Sequence, residues 1–299
     1  MAIVIENRAM QFIAHAVMIT LSLLVIIPFF LMFSASFTDN DWAVANGFAF
    51  IPGKWSLDAY RYIANQSQMI GNAYFMTILV TAIGTAMSLF VSTLFAYAIS
   101  QDDIPVMKVF SFMLIFTMLF NGGVVAMYYT YTNIFHVRDT IWALIFPNLM
   151  MSAFNVLLIR NYYKHSIPPS LVEAAYLDGA GEFRIFLYII VPLSKPIIAT
   201  IALMTGLAYW NDWQNGLYFL TPRNGSKYYT IQIILNNINE NIRLLQQSQN
   251  MISGLTNIRL PSTTIRMAIA IVGILPILVI YPFFQKYFIK CITLGGVKE

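Results

Sequence analysis

The chain has 299 residues, of which 59% are hydrophobic and only 10% charged, against about 25% charged in soluble domains. That deficit excludes an ordinary soluble fold, and a net charge of +4 spread over segment ends gives no basic stripe for nucleic acid. A single cysteine, Cys291, excludes an internal disulfide, and His15, His136 and His165 lie too far apart for a metal site.

A helix that crosses a bilayer needs roughly 20 apolar residues. Phe12–Phe33 is the first candidate. Ser34-Ala35-Ser36 after it has the look of a cleavage site, but the apolar run exceeds the 7–15 residues or so of a signal peptide, so a retained span is expected. The segment Thr38–Ala73 follows, with Trp42, Trp55, Tyr60 and Tyr62 near its ends. Tyr74–Ile99 is the second span and Val109–Tyr128 the third. Asn121-Gly122-Gly123 interrupts the third, and each glycine weakens a helix by about 1 kcal/mol relative to alanine. A break is expected there, lining a cavity or packing closely on a neighbour. Ile141–Ile159 is the fourth span and carries Asn148 and Asn155 near one face, toward a partner or a pathway.

Leu193–Trp213 is the fifth span, with Lys195 near one end and Asp212 near the other. The segment Gln214–Thr264 is rich in Tyr, Asn and Gln, and within it Thr230–Gln249 has helical spacing at Ile231, Ile234, Leu235, Ile238, Ile242 and Leu245. Met267–Phe284 is the sixth span. All spans but the fifth lack Asp, Glu, Lys and Arg, a strong signal because a central charge costs about 2.5–3.5 kcal/mol. Six spans put both termini on one side. The shorter segments on that side hold more of the Lys and Arg, which makes it the cytoplasm. Aromatic residues at span ends, including Trp210, Trp213, Tyr218, Tyr228 and Tyr229, form an interfacial belt or stack on a sugar.

The inner segment 160–192 has its own structure. Pro168-Pro169 stops the preceding helix. Ser170-Leu171-Val172-Glu173 has the form of a capping box. A short helix then runs to Leu177, Asp178-Gly179 ends it, and a second helix, Phe183–Val191, leads to Pro192 and Pro196. A helix–turn–helix on the cytoplasmic side is expected.

Glu173-Ala174-Ala175, Gly179, Ile189, Val191 and Pro192 stand at the spacing of the EAA loop, and here the chain resembles permease subunits of ABC importers. Val191 replaces the family's usual Leu. Leu177-Asp178-Gly179-Ala180, Pro192-Leu193-Ser194-Lys195-Pro196, Trp210-Asn211 and Leu294-Gly295-Gly296-Val297-Lys298 are similar to carbohydrate-uptake permeases of the maltose-transporter type. Asn121-Gly122-Gly123-Val124 and Tyr281–Phe288 resemble the subfamily that handles complex oligosaccharides. Ala126 and Cys291 depart from the usual Pro and Gly.

The resemblance implies an all-α polytopic membrane protein, one permease domain over 1–299, with the loop 160–192 coupling to an ATPase. Its coupling residues are then Glu173, Ala174, Ala175, Asp178, Gly179, Ala180, Arg184, Ile189 and Pro192. Glu173 pairs with a basic group of the ATPase, or only caps its own helix. Gly295, Gly296, Val297 and Lys298 form a tail toward the ATPase. Asn121, Gly122, Gly123, Asn148, Asn155, Trp210, Asn211 and Asp212 are pathway candidates. The implied partners are a second homologous permease, two cytoplasmic ATPase subunits, an extracytoplasmic sugar-binding protein, an oligosaccharide substrate and the lipid bilayer of the bacterial cytoplasmic membrane. No cofactor is expected.

The chain has no phosphate-cradling Gly-x-x-x-x-Gly-Lys-Ser/Thr loop, so ATP hydrolysis is assigned to partners and the chain is not expected to be an enzyme. An ion-coupled secondary transporter is the main rival, but it requires polar coupling groups mid-membrane that the spans do not supply. A permease for a non-sugar solute and a non-transporting assembly factor are the other readings.

Overall fold

The computed structural model describes residues 8–101, 103–251 and 263–296. These form helices α1 (Arg8–Ser36), α2 (Asn40–Asn46), α3 (Asp58–Asn65), α4 (Ser67–Ser100), α5 (Pro105–Leu119), α6 (Gly123–Ile134), α7 (Trp142–Ile145), α8 (Ala153–Ser166), α9 (Pro169–Leu177), α10 (Glu182–Leu193), α11 (Lys195–Asn211), α12 (Gln214–Phe219), α13 (Ile231–Met251) and α14 (Thr263–Gly296). Among the described residues there is no strand, only an isolated antiparallel bridge between Thr38 and Trp55.

Two compact units divide the chain: Met1–Ile70 with Asn237–Pro276, and Gly71–Asn236 with Ile277–Glu299. In the first unit, α1 is apolar on every side, and none of its most hydrophobic window is buried. A helix of that kind is solvated by lipid or covered by another chain. After α1 the chain is tied down by short contacts. Asp39 accepts from the Trp42 backbone amide at 3.1 Å, capping α2, and pairs with Lys54 at 3.1 Å. Both interactions, the amide first, hold the Asp39 carboxyl below the usual carboxylate range. Tyr60 shares a hydrogen bond with Ser36, and Trp42 lies against Gly53, where a Cβ would stand 2.2 Å from its ring.

The second unit holds two apolar cores. One gathers Ala96 and Ile99 of α4, Leu114 of α5, Val156, Ile159 and Tyr163 of α8, Ile185, Phe186 and Ile190 of α10, and Ile197 and Ile201 of α11. The other gathers Val80 of α4, Ala143, Leu144 and Ile145 of α7, Tyr209 of α11, Phe219 of α12 and Ile233 of α13. Helices α4 and α11 thus run through both cores. They approach closely at Gly84, where a Cβ would stand 2.6 Å from the Tyr209 ring. Only a residue without a side chain admits that ring.

The spans differ from the sequence expectation in an informative way. By length and composition, Met10–Ser36 and Ser67–Ser100 each cross a membrane as one helix, and they enclose the first two expected spans. The third, Val109–Tyr128, is α5 followed by α6 at a bend of 118°. The break falls at Asn121-Gly122-Gly123 as expected, and Gly123 takes φ +80°, which a side chain rarely tolerates.

The fourth, Ile141–Ile159, is not one helix. It stops at Ile145, runs irregularly and resumes at Ala153. Pro147 lacks an amide hydrogen and cannot continue the helix, and Asn148 takes φ +60°. The backbone groups this frees are bonded from other helices. The Tyr209 hydroxyl donates to the Ile145 carbonyl at 2.8 Å, and Asn215 Nδ2 donates to the Pro147 carbonyl at 3.0 Å. Such bonds are what permit irregular backbone at membrane depth.

The fifth span is α11, set at 79° to α10 across Ser194, so the two are a bent pair. The sixth lies within α14, and Thr263–Val279 of that helix is apolar. The expected amphipathic helix is α13, and its first turn buries Ile231, Ile233 and Ile234.

Candidate functional site

The loop between α8 and α11 is a helix–turn–helix built by its prolines and glycines. Ile167 is extended, as the residue before a proline tends to be, and Pro169 opens α9 with a backbone angle already set for helix. This corrects the expected capping box. Pro168, not Ser170, is the N-cap, no side chain caps the helix, and Ser170 falls inside its first turn. Glu173 is therefore not holding its own helix end, and its carboxylate is exposed.

Helix α9 ends as its sequence predicts. Gly179 takes φ +77°, the Ala180 amide donates to the Ala175 carbonyl at 2.9 Å, and the Gly179 amide donates to Tyr176 at 3.0 Å. This pair of bonds is a Schellman motif, for which a glycine at that position is suited. Gly181 then starts α10. A widened turn, Phe186–Ile190, precedes Pro192, whose ring would meet the carbonyl four residues back in a regular helix.

Helix α9 has two faces. Val172 and Ala175 pack toward the core of α4, α8 and α10. Leu171, Glu173, Ala174 and Leu177 are exposed, and Leu177 at 90% is the extreme case. An apolar side chain held that far out on a rigid helix, beside an acid, suits a protein partner better than water. Arg184 and Ile189 lie one helix further on, lining a shallow hollow with Ala180, Ile185 and Tyr188.

Three residues that the sequence reading did not single out tie this loop to the spans. Tyr97 of α4 donates to Glu182 Oε2 at 2.6 Å, and Tyr176 of α9 donates to Glu182 Oε1. The bond to Glu182 raises the Tyr176 phenol above its usual range. The Tyr97 ring also lies on Phe186, centroids 5.2 Å apart. Arg160 adds a fourth link, its Nε donating to the Ile99 carbonyl at the end of α4 at 3.0 Å.

The pathway candidates do not form one cluster. Asn121, Gly122 and Gly123 are exposed, with Asn121 Oδ1 accepting from the Gly123 amide at 2.8 Å. Asn148 is exposed and donates to the sulfur of Met127 on α6. Asn155 instead points into the chain, donating to Thr205 at 3.3 Å. Trp210 is buried and Asn211 accepts from Gln232 at 3.5 Å. Asp212 caps α12 through the amides of Gln214 and Asn215, at 3.1 and 3.3 Å. Gly295 and Gly296 close α14, while Val297, Lys298 and the Cys291 side chain lie outside the described residues. Among the described residues no group of His, Cys, Asp and Glu could hold a metal ion.

Residues 103–293 match the sequence profile of a family described as "Binding-protein-dependent transport system inner membrane component". The chain is similar to the polygalacturonan/rhamnogalacturonan transport system permease protein YtcP of Bacillus subtilis (strain 168), 35% identical, covering 98% of this chain and 99% of that protein. It is also similar to protein LplC of the same organism, 32% identical over 91% of this chain and 89% of that one. A crystal structure of a bacterial ABC transporter that imports the acidic polysaccharide alginate contains a chain of the same fold. Its TM-score is 0.77 at 26% identity, covering 96% of this chain and 99% of the other.

Proposed function

The chain belongs to the family of binding-protein-dependent transport system inner membrane components, and from that premise we propose that it conducts oligosaccharides inward while α9 docks on a cytoplasmic ATPase. Members of this family are membrane permeases of ABC importers, and ATP hydrolysis belongs to separate ATPase subunits. They work with another permease and a solute-binding protein. For this chain we assign one homologous permease, two ATPase copies and an extracytoplasmic sugar-binding protein, with both termini in the cytoplasm.

The observation that carries the reading is the build of α9. It is a short rigid helix, stopped at both ends by backbone-determining residues, with Glu173 and Leu177 turned outward. Glu173 meets a basic group of the ATPase, and the exposed apolar side chains seat beside it. The tail from Gly295 to Lys298 reaches the ATPase dimer. The exposed backbone of Asn121-Gly122-Gly123 and the side chain of Asn148 line the path between the permeases, because irregular backbone in a membrane requires water or protein against it. Asn155, Trp210 and Asp212 support that path from within. Oligosaccharides of polygalacturonan and of alginate are the first substrates to test, since the relatives with those names match this chain over nearly its whole length.

Glu173→Lys tests the docking role. In the reconstituted assembly it should abolish the stimulation of ATP hydrolysis by loaded binding protein while the permease stays folded. Stimulation equal to wild type would remove Glu173 from the contact.

A further inference from the structure

We infer that Tyr97, Tyr176 and Glu182 form a clamp that makes α9 and the adjoining end of α4 move as one piece. The inference rests on α9 being the ATPase-docking helix and concerns how its displacement reaches the spans.

One carboxylate takes hydroxyl donors from two different helices, one on each oxygen. Glu182 itself begins α10, the helix set at 79° to α11. Three elements therefore meet on a single acidic group. Among the described residues, the Tyr176 hydroxyl makes the one side-chain hydrogen bond that leaves α9. The rest of its inner face is Val172 and Ala175, apolar contacts that have little directionality and can slide. Hydrogen bonds to an ionised oxygen are short and strong, and the 2.6 Å bond from Tyr97 fits that description. A push on α9 is then carried to α4, which is 34 residues long, and to α10. The turn at Gly179 would otherwise flex, because among the described residues its backbone bonds run back into α9. Two of the loop's three acids divide the work: Glu173 faces outward to a partner, and Glu182 faces inward to the tyrosines.

Tyr97→Phe is the informative variant, since it removes one oxygen and leaves the ring on Phe186. Amide hydrogen exchange over residues 176–182 should speed up about tenfold or more on loss of one charge-assisted bond. Glu182→Ala should do the same, and the double variant should add nothing to it. Spin labels at Ser170, on the first turn of α9, and Phe90, with Cys291→Ser, give a second readout. In the permease–ATPase complex the wild-type distance should be the same without nucleotide and with ATP and vanadate, and should spread in Tyr97→Phe. Exchange and distances unchanged by Tyr97→Phe, or singles whose effects simply add, would overturn the clamp. Should no ATPase bind even the wild-type chain, the docking reading fails, while the exchange experiment on the permease still decides the clamp.

Discussion

Gly179 has no side chain and adopts φ +77°, a region that costs other residues of order 1–3 kcal/mol. A β-branched residue suffers most there, so Gly179→Val should loosen the loop and lower ATPase capture without altering the spans. Co-purification of the ATPase, together with an unchanged melting temperature, is the check. Gly84 is the other glycine whose replacement matters. A Cβ at that position meets the Tyr209 ring at 2.6 Å, so Gly84→Val should destabilise the permease by about 1–3 kcal/mol through overpacking. Thermal unfolding in detergent reads this directly. Both glycines could be seen in the sequence, but only Gly179 announced its role, because Asp178-Gly179 follows a helix-forming run. Gly84 lies in an apolar span, where nothing in the sequence marks which neighbour it faces. The Ser170 capping box fails for a related reason: Pro169 suits a first helical position, and it sets the start of α9 two residues earlier. Tyr97 and Glu182 were not legible as a pair, being 85 residues apart.

At the scale of elements, the long helices α1 and α4 and the break at Asn121-Gly122-Gly123 were legible from hydropathy and glycine content. The interruption of the fourth span was not, although Pro147 stood within it. A proline in a membrane helix is often tolerated, and what decides is whether neighbours satisfy the freed carbonyls. Tyr209 and Asn215 do so here. Tyr209→Phe or Asn215→Leu should each leave a buried carbonyl bare and cost about 1–3 kcal/mol, seen as a lower melting temperature. Helix α1 makes the opposite case. Its apolar window buries nothing against the chain, so Leu→Ala changes at Leu23 or Leu24 should shift the stability of the isolated permease by no more than about 0.5 kcal/mol. A large loss in the isolated subunit would mean that α1 packs on its own chain.

Over the whole molecule, the family profile spans residues 103–293 and so contains both bent span pairs and the loop helices α9 and α10. Composition alone placed the chain in a membrane, and the spacing of Glu173, Gly179 and Pro192 marks the segment proposed to dock on the ATPase. ATP hydrolysis belongs to separate ATPase subunits in this family, and in the proposed reading α9 is the lever that carries their motion into the spans. The most direct test is uptake into vesicles that hold this permease, its permease partner and the ATPase, with ATP trapped inside, no ion gradient and binding protein loaded with labelled oligogalacturonate or alginate oligosaccharide outside. ATP-dependent accumulation that vanishes with Glu173→Lys is the expected result. Accumulation that follows an imposed ion gradient and ignores ATP would contradict the account.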